Sequence, residues 1–255
     1  MKIKALGVSG SGGSRHNSSS FLVDGVLLLD AGTVVGELSA KEENRIRHIL
    51  LTHAHMDHMN GIPFLLASRA GSGTGTPVTV AGGKEVLGDI RRHIFNGRIW
   101  PDFSKIPSKE SPLLLYKTLT QTRCCRIDGY TVAMERVNHT VPANGFIVAN
   151  QAKKAVAYTG DTGPTDRFWK RMEEFDVKAL ITEISFPNRF EKIARMSGHL
   201  TPAMLEEEIR KISRPPEKIF IMHMKPPFER EIRAEVRKLR RKNLSILKDG
   251  DEIVI

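Results

Sequence analysis

Three histidines and an aspartate fall within six residues, His53-Ala54-His55-Met56-Asp57-His58, directly after the apolar run Ile49-Leu50-Leu51. A lone histidine usually fills a structural role, but three around an acid at the end of a buried strand are not explained by packing. Imidazole and carboxylate are the donors that suit zinc and related divalent metals. His53 and His55 can project from an extended segment toward one point, while Asp57 and His58, on the following turn, reach a second point nearby. One ion does not need all four donors, whereas two adjacent ions do.

Further donors stand where later strands end. His139 follows the strand closing at Val137, Asp161 lies in Tyr158-Thr159-Gly160-Asp161-Thr162, and His223 follows Ile219-Phe220-Ile221-Met222. Each is a metal-type side chain at the point where a strand gives way to a loop, and this repeated placement marks a set.

The rest of the chain reads as α/β. Phe21–Val23 and Val26–Leu29 flank Asp24-Gly25, which predicts a hairpin with a two-residue turn. Strands are predicted at 2–8, 48–52, 78–80, 131–137, 145–149, 155–159, 178–182, 218–222 and 252–255. Helices are predicted after the histidine cluster to about Ser68, and at 84–95, 165–174, 202–212 and 228–242. Thr201 caps the helix that opens on Pro202. Residues 96–122, with Pro101, Pro107 and Pro112, read as a long loop or cap. A β-rich first half and an alternating second half suit two sheets back to back with helices outside, in one domain spanning 1–255.

Composition bounds the rest. The net charge of +10 favours polyanions or phosphorylated substrates without choosing between them. Much of the excess lies in Arg230, Arg233, Arg237, Lys238, Arg240, Arg241 and Lys242. Ile232, Val236 and Leu239 thread that segment at helical spacing, which makes a basic solvated face the simplest reading. Cys124 and Cys125 are adjacent, so no disulfide framework or zinc knuckle is implied. No apolar run is long enough to span a bilayer and the opening stretch is too short for a signal peptide, so a cytoplasmic location is expected.

Taken together, His-x-His-x-Asp-His, the later histidine, the Thr-Gly-Asp-Thr turn and the final histidine resemble the metallo-β-lactamase superfamily. That resemblance implies a four-layer αββα sandwich with two divalent metal ions at one edge, usually zinc, with iron or manganese as alternatives. One ion would take His53, His55 and His139, the other Asp57, His58 and His223, and Asp161 would bridge. Within the superfamily, Ser197-Gly198-His199-Leu200-Thr201-Pro202, Ile181-Thr182-Glu183-Ile184-Ser185-Phe186 and His223-Met224-Lys225-Pro226 resemble the class II cyclic-nucleotide phosphodiesterases. Leu6-Gly7, Gly12-Gly13 and Asn17-Ser18-Ser19 are similar too, with Met56 where that family usually has leucine.

The resemblance implies hydrolysis of 3′,5′-cyclic nucleotides to 5′-monophosphates by a metal-bound hydroxide. Asp57, Glu183 and His199 are then the catalytic candidates, with His199 as hydrogen-bond donor or acid and Glu183 orienting it. His199 and Lys225 are the candidates for holding the phosphate. Trp100, Phe103, Phe186 and Phe190 could stack on a base, although aromatics mostly fill cores. The Gly/Ser loop at 9–14 could approach a phosphate through backbone N–H groups, but it lacks the Walker lysine pattern and a plain turn is the favoured reading. The alternatives are an RNA-directed phosphodiesterase related to the tRNA 3′-end endonucleases and a metal-binding sensor without turnover. Family likeness also implies a homodimer and no membrane partner.

Overall fold

A computed structural model describes residues 1–11, 16–73 and 76–255. Its strands form two seven-stranded sheets. The first contains β1 (Lys2–Gly7), β2 (Ser20–Val23), β3 (Leu27–Leu29), β4 (His48–Leu51), β5 (Val78–Gly82), β6 (Leu114–Thr118) and β14 (Glu252–Val254), in the order β14-β1-β2-β3-β4-β5-β6. The second contains β7 (Cys125–Ile127), β8 (Tyr130–Arg136), β9 (Asn144–Ala149), β10 (Lys154–Tyr158), β11 (Asp176–Glu183), β12 (Lys218–Met222) and β13 (Leu244–Ile246), running in sequence order from β13 back to β7. The helices are α1 (Ala40–Glu43), α2 (Met56–Met59), α3 (Gly61–Ser72), α4 (Lys84–His93), α5 (Arg167–Met172), α6 (Glu191–Ser197), α7 (Pro202–Arg210) and α8 (Glu229–Lys238).

The layering follows from strand periodicity. Successive side chains of a strand point to opposite faces, so an all-apolar strand feeds two cores at once. Leu27 and Leu29 join the core between the sheets, whereas Leu28 faces outward. In the other sheet Val156 and Tyr158 point inward, and Ala155 and Ala157 outward. The outward face of the first sheet is covered by Ile62, Leu65 and Leu66 of α3 and by Val86, Leu87 and Ile90 of α4. That of the second is covered by Phe168 and Trp169 of α5, Met204, Leu205 and Ile209 of α7, and Ile232 and Val236 of α8. The result is the expected αββα sandwich.

Several expectations are refined. The hairpin turn is three residues long, Asp24 to Val26, because Phe21 pairs with Leu29 and Val23 with Leu27. Asp24 and Gly25 both take left-handed backbone there. Within the proline-bearing segment 96–122, Leu114–Thr118 forms β6 and pairs in parallel with β5. Thr201 does cap α7, accepting from the Met204 amide at 3.3 Å. The basic C-terminal run is partly neutralised: Arg233 pairs with Glu229 and Arg241 with Glu206. Cys124 and Cys125 are free thiols. Among the described residues no helix is long and apolar enough to cross a membrane.

Glu208 of α7 ties that helix to α5 and the turn before it. Its buried carboxylate accepts from the Thr165 amide at 2.9 Å and from Trp169 Nε1 at 2.8 Å, and pairs with Lys211 at 2.7 Å. Truncation strands two buried donors, while Lys211 keeps its pair with Asp166 at 2.9 Å. Glu208→Ala is therefore expected to lower unfolding free energy by about 3 kcal/mol in urea denaturation. A loss below about 1 kcal/mol would mean the contacts are worth no more than surface pairs.

Candidate metal centre and acid–base dyad

β3 and β4 run parallel, as do β10, β11 and β12, and β8 shares the direction of β10 through two antiparallel steps. Their carboxyl ends therefore gather at one edge of the sandwich, the place where ligands bind in open α/β sheets. Asp30 follows β3, His53 follows β4, His139 follows β8, Asp161 follows β10, Glu183 ends β11 and His223 follows β12. Asp30 and His223 have positive φ, 53° and 65°. Such left-handed backbone in non-glycine residues is uncommon and costs of order 1 kcal/mol or more, and here it turns both side chains into the edge.

Two groups of donors meet there. In the first, His55 Nδ1 lies 3.1 Å from His53 Nε2 and 3.3 Å from His139 Nε2. In the second, His223 Nε2 lies 3.3 Å from His58 Nε2 and 3.2 Å from Asp57 Oδ2. Asp161 stands between them: Oδ1 is 3.2 Å from both His58 Nε2 and His223 Nε2, and Oδ2 is 3.7 Å from His53 Nε2. Donors held about 2.0–2.1 Å from a tetrahedral ion are about 3.3 Å from one another, so these separations are those of donors sharing a cation. The buried Asp161 Oδ1 has no hydrogen-bond partner. An orphaned carboxylate oxygen in a dry site is costly unless something cationic meets it. Thus all seven donors expected from the sequence converge, and their chemistry fits divalent ions.

The supporting contacts fix ring orientation. His53 Nδ1 lies 2.9 Å from the Thr52 hydroxyl, and His139 Nδ1–H donates to the Gly198 carbonyl at 2.9 Å. His58 Nδ1–H donates to Asp30 Oδ2 at 2.7 Å. Asp30 was not among the residues singled out from the sequence. It is fully buried and also accepts from the Thr52 amide at 2.8 Å and the Tyr158 hydroxyl at 2.7 Å. The signal was present, since Leu27-Leu28-Leu29-Asp30 repeats the strand-then-acid pattern of the other donors.

Electrostatics follow from this geometry. Burial lowers the pKa of His53, His55 and His139, keeping the rings neutral and able to bind metal. Burial also opposes charge on His58, but Asp161 and Asp30 outweigh it and hold that ring well above its usual range. The field that favours a proton there equally favours a cation in its place. For Asp57, burial is overcome by the His223 hydrogen bond and the His58 charge, and its carboxyl drops to about 2. For Asp161 burial is overcome by His223 and His58, holding it well below the carboxylate range.

Beside the donors sits a second constellation. His199 Nδ1–H donates to Glu183 Oε1 at 2.6 Å. Glu183 is fully buried and also accepts from the Thr162 amide at 3.1 Å, the Leu200 amide at 3.3 Å and the Ser185 hydroxyl at 2.7 Å. Burial disfavours charge on His199, yet the Glu183 charge and hydrogen bond raise its pKa above the ordinary value. The His199 ring stacks on His223 at 5.5 Å and meets His139 edge-on at 5.1 Å. Ser185, quoted in its segment but given no role from sequence, links dyad and donors: its Oγ accepts from His223 Nδ1–H at 2.9 Å.

Gly198 shapes this corner. Its φ is +66°, and a Cβ there would lie 2.8 Å from the His139 Cα. Backbone cannot yield as a flexible side chain can, so Gly198→Ala is expected to displace His139 or His199. The measurable outcome is a loss of bound metal or of turnover of about tenfold or more, comparable to removing a hydrogen-bond partner of a ligand. Wild-type metal content and rate in this variant would contradict the tight approach.

The other sequence candidates divide. Lys225 lies over the Phe186 ring at 5.4 Å, and that ring is 5.8 Å from His199, so both flank the dyad. Phe190 packs on Phe228 at 5.0 Å, Trp100 on Phe64 at 5.4 Å, and Phe103 is buried under the first sheet's helix layer. These three serve packing. In the 9–14 loop, a Cβ on Gly10 would lie 2.4 Å from the His223 carbonyl oxygen, so its backbone abuts the site. Gly12, Gly13 and Ser14 lie outside the described residues.

Comparison with known proteins places this architecture. A "probable 3′,5′-cyclic-nucleotide phosphodiesterase" of Yersinia pestis is 27% identical, across 100% of this chain and 85% of its own. Unliganded yeast PDE1 has the same fold, with a TM-score of 0.81 at 18% identity, over 100% of this chain and 99% of that one. So does the short form of human tRNase Z, with a TM-score of 0.72 at 20% identity, over 100% and 99% of the two chains. The beta-lactamase superfamily domain matches residues 26–224, spanning every donor of the site, and the chain belongs to that superfamily.

Proposed function

We propose that this protein is a metal-dependent phosphodiesterase that hydrolyses 3′,5′-cyclic nucleotides to nucleoside 5′-monophosphates. The observation that carries the reading is the Glu183–His199 pair, an imidazole with raised pKa set against a cluster of metal donors. His53, His55 and His139 would hold one ion and Asp57, His58 and His223 the other, with Asp161 shared; the nitrogen-rich set suits zinc, and iron or manganese remain compatible. Such ions, when bound, neutralise phosphate charge and acidify water enough for attack at neutral pH.

The protein's own groups do the rest. The P–O3′ bond breaks as water adds to phosphorus, and the departing O3′ needs a proton. His199 supplies it, because Nδ1–H is committed to Glu183 and Nε2 is left to face the substrate. Glu183, fixed by three further donors, holds that ring in orientation and keeps it charged. Lys225, whose Nζ lies 5.4 Å from the Phe186 ring centroid beside the dyad, would meet the phosphate.

Support for a small substrate comes from the full-length likeness to the Yersinia pestis protein and from the partial neutralisation of the basic helix. An RNA substrate is the second reading, favoured by the net charge of +10 and the shared fold with tRNase Z. Metal-loaded protein offered cyclic AMP, cyclic GMP, bis(p-nitrophenyl) phosphate and a precursor tRNA separates them. Formation of 5′-monophosphate is the expected result, and turnover of tRNA alone would overturn the proposal.

A further inference from the structure

A cavity of about 230 Å³ opens beside the donor cluster, and His55 forms part of its wall. Its apolar wall comes from Ala54, from Ile90 and Ile94 at the end of α4, and from Val141 and Pro142 between β8 and β9. This volume lies below the ~300 Å³ at which pockets for drug-sized ligands begin, which suits one heterocycle better than a whole nucleotide. The walls are largely apolar, as the faces of a heteroaromatic ring require.

One carboxylate breaks that apolar lining. Asp89 borders both this cavity and the adjoining groove of about 840 Å³ along α4, which also contains Lys84 and Arg92. It is half-buried, and no hydrogen bond or ion pair to it occurs among the described residues. An ionised carboxylate only accepts hydrogen bonds, and can accept two from a fork of adjacent donors. Guanine presents such a fork, N1–H beside its 2-amino group. Adenine instead turns a lone pair at N1 toward the same place.

We infer that the cavity between His55, α4 and Pro142 seats the nucleobase, and that Asp89 makes it selective for guanine. The inference rests on the cyclic-nucleotide reading above, because a base there would hang from a phosphate held at the neighbouring donors. A site built to pair polar groups rejects the analogue that leaves them unpaired. His93, exposed on α4, borders the same cavity.

The test is steady-state kinetics of the metal-loaded enzyme with cyclic GMP and cyclic AMP. The wild type is expected to favour cyclic GMP in kcat/KM by about tenfold or more. Asp89→Ala and the isosteric Asp89→Asn should both erase most of that preference, chiefly by raising KM for cyclic GMP. Val141→Trp, which fills the cavity from another wall, should raise KM for both nucleotides. Hydrolysis of both at equal kcat/KM, with the ratio unmoved in the Asp89 variants, would overturn the base site while leaving the cyclic-nucleotide reading intact. Hydrolysis of bis(p-nitrophenyl) phosphate but of neither cyclic nucleotide would overturn both.

Discussion

Asp161→Ala is expected to empty the metal centre and abolish turnover. Asp161 sets one carboxylate oxygen against each donor group, at 3.2 Å from His58 and His223 and 3.7 Å from His53. Its removal leaves five imidazoles and one partly exposed carboxylate to offset two divalent charges. Residues that merely orient ligands are worth about 10–100-fold in metal affinity, so a shared ligand is worth more than about 100-fold. Metal content after gel filtration, measured by elemental analysis, should fall from two ions per chain toward none. A variant that kept both ions would show that Asp161 does not bridge.

His199→Ala is expected to have an equally large kinetic effect by a different route. The loss should fall on kcat, by about 10²–10⁴-fold, the usual worth of a positioned acid, while both ions stay bound. Metal retention matters because His199 also lies within reach of Asp161 and His223 and could be mistaken for a ligand. Its Nδ1–H donates to Glu183 at 2.6 Å, however, so that nitrogen has no lone pair to offer a metal. Substrates with good leaving groups, such as p-nitrophenolate, need no proton at the departing oxygen, so their rates should fall far less. A uniform loss across all substrates would assign His199 a structural part instead.

Much of this site was legible in the sequence because each donor follows an apolar strand, and a strand end is a fixed place once the sheets form. His53, His139, Asp161 and His223 all announced themselves in that way. Asp30 carried the same signal, but its partner His58 is 28 positions away, and nothing local shows that a buried acid orients a ring. Ser185 was hidden for a similar reason: its hydroxyl matters only because β11 and β12 pair in register and bring His223 beside it. Among the elements, β7 and β13 escaped prediction because each has a polar centre, Arg126 and Ser245, and so lacks the unbroken apolar run that marks β3. The cavity at Asp89 escaped entirely, since it exists only where α4 meets two loops from different sheets.

The gathering of strand ends has one more consequence. The donors up to His58 follow strands of the first sheet, and those from His139 to His223 follow strands of the second. Under the proposed assignment each ion draws two ligands from one sheet and one from the other, with Asp161 reaching across from the second. Neither half of the chain owns a complete coordination shell. The ions then act as rivets along the open seam of the sandwich, and occupancy reports that both halves have folded and docked. Metal binding contributes to cohesion between the halves by mass action, so the centre that performs the chemistry also certifies the assembly of the molecule.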